Sequence, residues 1–116
     1  MLLADLSGFR IFIKPGHSDM RKGINGLALI VQERMSLDPI EHSIFLFCNK
    51  RRNLLKVLYW DDNGFWLWLK RLEKHRFPWP KDSTTSREIS REQLQMILSG
   101  IDFFNAHEKL NYARVG

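Results

Sequence analysis

Cysteine is almost absent from this chain of 116 residues, because Cys48 is the only one, and it stands inside the apolar run IFLFC. A lone cysteine cannot form an internal disulfide, and in an apolar run it is typical of a small buried side chain rather than of a nucleophile. We therefore expect a protein that folds without covalent cross-links in the reducing cytoplasm.

Long apolar segments are also missing. No run approaches the ~20 apolar residues that a membrane-spanning helix needs. The N-terminal stretch MLLADLSGFR has neither the basic start nor the apolar centre of a signal peptide. With 44% hydrophobic and 27% charged residues, the composition is ordinary for a globular protein. These features predict a soluble, cytoplasmic single domain over residues 1–116 without membrane contact, with an ordered core at about 9–102 and a frayed tail at 103–116.

Catalytic and metal-binding motifs are a third absence. The four histidines are scattered and have no cysteine or histidine partner at the spacing of a zinc site. The sequence contains no nucleophile elbow, phosphate-binding loop or dinucleotide-binding fingerprint. Asp61 and Asp62 are the only adjacent carboxylates, and in the context WDDNG they are typical of a turn. We expect no enzymatic activity, no metal and no cofactor.

Positive charge, by contrast, is concentrated in one region. Residues 49–81 carry nine basic and three acidic side chains, whereas the segments before and after are close to neutral. A localised basic field favours a polyanionic partner more than a uniformly basic surface does. A charged face kept only for solubility is the alternative interpretation.

Apolar periodicity predicts a small α+β fold. A short β-like run covers residues 10–13, and three longer strands are predicted at 44–48, 54–60 and 65–72. The pair Asn63-Gly64 is a strong hairpin signal between the last two strands. We expect an antiparallel β-meander of about three to four strands, with the short run as an edge strand.

One helix is predicted on each side of the strands. Ser18 or Asp19 is a plausible N-cap for the first helix. Ser90 and Gln93 stand at the spacing of a capping box and open the second.

The hairpin assigns the aromatic residues to two faces. Period-two alternation puts Trp60 and Phe65 on an aliphatic face, and it groups Tyr59 with Trp66 and Trp68 on the other. Rings on this second face are either core or an exposed platform that stacks on bases or receives a partner protein. The predicted partner-binding residues are Tyr59, Trp66, Trp68 and Trp79.

Two basic clusters are expected to meet at one end of the meander, opposite the hairpin turn. One is the loop NKRRN between the first two long strands, and the other is KRLEKHR at the far end of the third. Loop cations at such a position can reach phosphates. The predicted DNA-binding residues, which include two cations at the start of the first helix, are Lys50, Arg51, Arg52, Lys56, Lys70, Arg71, Lys74, Arg76, Arg21 and Lys22.

Three segments together resemble a known family. SDMRKGINGL, LFCNKRRNLLKVLYWDDNGFWLWLKRLEKHRFPWP and QLQMILSGID are similar to the TnpB-type accessory proteins (Orf2-like) of the insertion-sequence-66 class of bacterial transposable elements. The resemblance runs from about Phe9 to Asp102. It implies a role in DNA transposition beside a separate transposase that carries the catalytic carboxylates. It carries over no functional residues.

Two functions remain open from the sequence. The first is a non-catalytic accessory protein that binds DNA through a basic sheet edge and is nucleoid-associated when bound. The second is an adaptor that docks the transposase through the aromatic surface without touching DNA. Homo-oligomerisation is possible in either case.

Overall fold

The computed structural model describes residues 8–81 and 86–101, which form one five-stranded sheet and two helices. In chain order the elements are β1 (Arg10–Ile13), α1 (Ile24–Glu33), β2 (Ser43–Cys48), β3 (Leu54–Asp61), β4 (Gly64–Arg71), β5 (Arg87–Ile89) and α2 (Arg91–Leu98). The strand order across the sheet is β4-β3-β2-β1-β5. The tail predicted at 103–116 lies outside the described residues. Within them, no helix has the length and apolarity that crossing a membrane requires.

The sheet is mixed, which corrects the predicted simple meander of three to four strands. β1 runs parallel to β2, with Arg10 opposite Ser43 and Ile13 opposite Leu46. Parallel neighbours need a long crossover, and the segment that contains α1 supplies it. β2, β3 and β4 are antiparallel neighbours as expected. β1 therefore lies between β2 and β5 instead of at an edge.

β5 is a strand that the sequence pattern does not predict. It pairs antiparallel with β1, and Ile89 is its only buried residue. One apolar residue in three gives no readable alternation. The pairing is accompanied by an ion pair between Arg10 and Glu88 at 2.9 Å.

The hairpin between β3 and β4 has the predicted division of faces. Trp60 lies opposite Phe65, and Tyr59 lies opposite Trp66. The loop itself consists of residues 62–63, one position earlier than the Asn63-Gly64 pair. Asp62 adopts the left-handed conformation with φ 59°, which aspartate tolerates better than most residues.

The first helix begins later than predicted, at Ile24 with Gly23 as N-cap. The Asp19 carboxylate accepts hydrogen bonds from the backbone N–H and the guanidinium of Arg21, a local turn that competes with a helix. The Lys56 ammonium also binds the carbonyls of Met20 and Lys22. These contacts hold the chain in a turn before α1.

The second helix has the predicted capping box. The Ser90 hydroxyl accepts a hydrogen bond from the Gln93 N–H at 3.1 Å. The Gln93 side chain in turn accepts one from the Ser90 N–H at 2.9 Å. This reciprocal pair satisfies two backbone donors of the first turn.

Each face of the sheet is covered by one helix. Leu27, Val31 and Met35 of α1 and its exit pack on the face that carries Phe45 and Leu58. The opposite face is covered by α2 and by the chain that follows β4. Its buried cluster comprises Ile11, Ile13, Ile44, Leu46, Cys48, Leu55, Val57, Phe77, Trp79, Ile89, Leu94 and Ile97. Burial of a large apolar side chain contributes ~1.5–3 kcal/mol. The sheet is therefore stabilised by an apolar cluster on each of its faces.

Candidate nucleic-acid interface

The β2–β3 loop and the chain after β4 meet at one end of the sheet, which we call the basic end and define as residues 49–53 and 72–77. The Leu72 N–H donates to the Asn53 carbonyl at 2.8 Å, and the Phe77 N–H donates to the Arg52 carbonyl at 2.7 Å. These two bonds join the predicted basic clusters through their backbones. The hairpin turn Asp61–Gly64 lies at the other end of β3, roughly 23 Å away at ~3.3 Å per residue.

The Asn49 side chain orders the loop of the basic end. Its carbonyl oxygen accepts hydrogen bonds from the N–H groups of Asn53 and Leu54, at 2.9 and 3.0 Å. Its amide donates to the Asn53 side chain at 2.7 Å. The loop is therefore closed by side-chain bonds, and Lys50 and Arg51 are exposed at its tip.

Five cations of the predicted set form the accessible part of the basic end. They are Lys50, Arg51, Arg52, Lys74 and Arg76. Arg52 is half-buried, and the other four are exposed. Within residues 8–81 and 86–101, none of these side chains has an ion pair or hydrogen bond. A cation that no carboxylate neutralises is available to neutralise a phosphate.

Lys56 and Arg21, by contrast, are engaged within the chain. The Lys56 ammonium donates to the carbonyls of Met20 and Lys22 at 2.8 and 2.9 Å. Arg21 forms an ion pair with Asp19 at 2.8 Å. Its hydrogen bonds to that carboxylate lower the pKa of Asp19 to about 2. Lys22 is exposed at the same turn.

Lys70 and Arg71, the last two residues of β4, also have contacts within the chain. Lys70 donates to the Leu98 carbonyl at 3.2 Å, where a cation stabilises the C-terminal end of α2. Arg71 pairs with Glu73 at 2.9 Å on the surface. Surface pairs of this kind are weak, so Arg71 remains available to exchange its partner.

Two further lysines lie beside the basic end, although the sequence prediction did not include them. The Lys14 N–H donates to the Leu46 carbonyl near the end of β2. The Gly16 N–H donates to the carbonyl of Pro80, which directly precedes the exposed Lys81. Burial, and then the charge of Arg34, lowers the pKa of Lys14. Lys81 belongs to the basic segment of the sequence, and only the fold shows where it lies.

Trp79 does not belong to an exposed aromatic surface, which corrects its place in the predicted partner-binding set. Its side chain is 6% exposed and packs in the core. The indole N–H donates to the carbonyls of Lys14 and Gly16 at 3.0 and 2.9 Å. Trp79 therefore joins the chain after β4 to the chain after β1.

The other three aromatic residues of that set lie together on the β3–β4 hairpin. Trp66 is 48% exposed and stacks on Trp68, with ring centroids 5.7 Å apart. The Trp66 indole N–H donates to the Asp61 carboxylate at 2.9 Å. Trp68 and Tyr59 are half-buried against the core. The ring that remains for a partner is chiefly Trp66.

A metal centre is not evident in the described part of the chain, where no group of three or more His, Cys, Asp or Glu side chains could hold an ion. Cys48 is buried, and burial raises the pKa of its thiol to about 12. A thiol in that state is a poor nucleophile. Among the described residues of the predicted sets, the cations of the basic end and Trp66 are therefore the candidate binding groups.

The comparison with protein families decides where this chain belongs. The family model described as IS66 Orf2 like protein matches residues 9–108. The chain is a member of the IS66 Orf2-like family. This family is not a known catalytic one, and membership associates the protein with transposition of IS66-class insertion sequences.

Two relatives of this IS66 Orf2-like protein come from Sinorhizobium fredii. The uncharacterized protein y4hO is 41% identical over 107 residues, which cover 92% of this chain and 93% of the relative. The uncharacterized protein y4jC is 32% identical over 102 residues, covering 88% of this chain and 87% of the relative. No solved structure matches the chain significantly.

Proposed function

We propose that this IS66 Orf2-like protein is a non-catalytic accessory factor of transposition that binds DNA electrostatically through its basic end. The observation that carries the proposal is the backbone joining of residues 49–53 to residues 72–77, which collects five cations without a carboxylate partner among the described residues. Lysines and arginines at such a surface neutralise phosphates and release counterions. The protein then works on cytoplasmic, nucleoid DNA beside a separate transposase.

The proposed contacts position the protein on the DNA backbone and do not read the base sequence. The cations stand on a loop and on an irregular segment, and α1 and α2 are both packed on the sheet through their apolar residues. Base readout commonly requires an element that enters a groove. We therefore expect contacts to phosphate and sugar, little sequence preference, and affinity that falls steeply with salt.

A salt series with duplex DNA tests this function. Fluorescence anisotropy is recorded for the native chain, for Lys50→Ala/Arg51→Ala, and for the control Arg10→Ala/Arg91→Ala. Both double variants lose two positive charges, but the control loses them at the opposite end of the sheet, because Arg10 opens β1 and Arg91 follows β5. The first variant should reduce the salt slope by about 2, since each lost phosphate contact reduces it by about 1. The control should keep the native slope.

The alternative function is the adaptor that docks the transposase through Tyr59, Trp66 and Trp68. The observation that favours it is the 48% exposed Trp66 stacked on Trp68. Exposed, rigid indoles are frequent anchors of protein interfaces. Absence of salt-sensitive DNA binding at low ionic strength would reject the DNA function and leave this adaptor in its place.

A further inference from the structure

The two edges of the sheet are built differently. The β5 edge is three residues long and carries the ion pair between Arg10 and Glu88. The β4 edge is eight residues long, GFWLWLKR, and all its residues are half-buried or exposed. Natural sheets protect their edges with short strands and with charge. β5 follows this rule, whereas β4 is charged only at its end.

Exposed apolar side chains lie on both faces of β4. Leu69 is 61% exposed and Trp66 is 48% exposed. They belong to opposite faces, because one is odd-numbered and the other even-numbered along the strand. Within the described residues, β3 is the only strand that pairs with β4. The strand thus offers apolar surface above and below an open row of backbone groups.

The direction of those backbone groups follows from a bond just beyond the strand. The Leu72 N–H donates to the Asn53 carbonyl, so the even-numbered residues of β4 direct their N–H and C=O groups toward β3. In an antiparallel pair the bonding direction alternates along the strand. Phe65, Leu67 and Leu69 therefore direct theirs outward.

We propose that β4 pairs antiparallel with β4 of a second copy of this chain, about a twofold axis at Leu67. The outward N–H and C=O groups of Leu67 in the two copies then bond to each other, as do those of Phe65 and Leu69. Such an isologous contact closes on itself and leaves no β4 edge open. The two five-stranded sheets become one continuous sheet. Formation of this dimer does not require DNA.

This register places apolar side chains opposite apolar ones. Trp66 faces Trp68 of the second copy, in a pair without hydrogen bonds where side chains approach most closely. Each copy already stacks these two rings, so four indoles line one face of the dimer. A register centred on Trp68 instead places Phe65 opposite Arg71 and is less favourable.

Charge complementarity along the edge selects a second copy as the partner. β4 begins beside the acidic residues Asp61 and Asp62 and ends with Lys70 and Arg71. Antiparallel pairing brings the acidic start of one strand to the basic end of the other, at both ends of the contact. Opposite charges across strands stabilise a pair, whereas like charges destabilise it.

Sedimentation velocity of the full chain over a wide concentration range tests the dimer. The substitution Leu69→Lys puts a charge opposite Phe65 of the second copy, one bonded pair from the twofold axis, and should weaken dimerisation at least about tenfold, because charge on an edge strand opposes edge-to-edge pairing. Leu29→Lys is the matched control. Leu29 is 49% exposed and lies on the side of α1 opposite the buried Leu27 and Val31. It therefore points away from the sheet, and the control should dimerise like the native chain.

A cysteine cross-link tests the register. Leu67→Cys places two thiols opposite each other at a Cα separation of about 5.5 Å, which a disulfide spans. Cys48 is buried and should not interfere. Mild oxidation should give a cross-linked dimer with Leu67→Cys and none with Leu29→Cys. A monomer at every concentration, a Leu69→Lys dimer as stable as the native one, or a Leu67→Cys dimer that does not cross-link would each overturn the proposal.

Discussion

Each end of the sheet carries a tryptophan whose indole N–H fixes a polar group, and the two do so in opposite environments. Beside the basic end, Trp79 is buried and donates to the carbonyls of Lys14 and Gly16. At the turn end, Trp66 is half exposed and donates to the Asp61 carboxylate. A buried donor that satisfies two backbone acceptors supports the fold, whereas a bond at the surface contributes little.

The charged residues at the two ends also differ in how firmly the surrounding bonds hold them. The turn end carries Asp61 at the end of β3 and Asp62 on the two-residue loop, and the Trp66 indole N–H donates to the Asp61 carboxylate. The basic end carries its cations on segments that are bonded to each other and backed by buried Phe77. The cations of the basic end therefore lie on segments that the fold holds in place.

Phe77→Ala should give the largest change. Phe77 has no exposed surface and lies between Arg76 and Trp79, so its loss leaves a cavity beneath the basic end. We expect the free energy of unfolding to fall by about 3–5 kcal/mol, measured by urea denaturation. Phe65→Ala, at a half-buried position near the turn end, is the control and should have a smaller effect. Equal losses would show that the two ends are supported alike.

Lys56→Met separates a structural lysine from a DNA-binding one. The substitution keeps the apolar stem and removes the ammonium that binds the carbonyls of Met20 and Lys22. Hydrogen bonds from charged groups contribute about 1.5–3 kcal/mol, so unfolding should become easier by about that amount. The salt slope of DNA binding should stay native. A reduced slope with unchanged stability would return Lys56 to the DNA-contacting set.

Exchange of each tryptophan for phenylalanine tests the two indole N–H groups directly. Trp79→Phe leaves the carbonyls of Lys14 and Gly16 without this donor and should lower the free energy of unfolding by about 1–3 kcal/mol. Trp66→Phe breaks one exposed bond, and its effect should stay within about 0.5 kcal/mol. Denaturant titration of both variants gives the comparison. A Trp66 variant as unstable as the Trp79 variant would contradict the difference between the ends.

Ionisation of the Cys48 thiol should leave the free energy of unfolding unchanged at neutral pH and should lower it measurably in alkali. Burial raises its folded pKa from 9.0 to about 12, so the unfolded chain loses this proton first as pH rises. Stability from the neutral thiol is therefore complete below pH 9 and is lost between pH 9 and about 12. Cys48→Ala should lose less stability over that interval in parallel denaturation curves. Identical pH dependence in the two chains would argue that the thiol is not buried.

Much of the fold was predictable because it follows from local patterns. Apolar runs bounded by turn residues predict β2, β3 and β4, period-two alternation assigns the faces of the hairpin, and the capping box marks α2. The parallel pairing of β1 was missed because direction depends on the crossover. The succession of strand, helix and strand was the available signal. β5 was missed because its pairing with β1 is a long-range contact.

The meeting of the two basic clusters was predictable from the sequence, whereas the contacts of individual side chains were not. The loop and the chain after β4 lie together because antiparallel strands bring alternate connections to one end. The partners of Lys56 and Trp79 could not be predicted, because their acceptors lie 34–65 residues away in the sequence. The sequence around a lysine or a tryptophan does not indicate whether a distant carbonyl will accept a hydrogen bond from its side chain.

Amide chemical shifts in a titration with a short duplex test the central claim most directly. Spectra of the ¹⁵N-labelled chain at low salt report on both ends of the sheet at once. We expect shifts at residues 49–53 and 72–77 that vanish when salt is raised, with the turn at residues 61–64 unchanged. Shifts centred on Tyr59, Trp66 and the turn, or no shifts at low salt, would contradict DNA binding by the basic end.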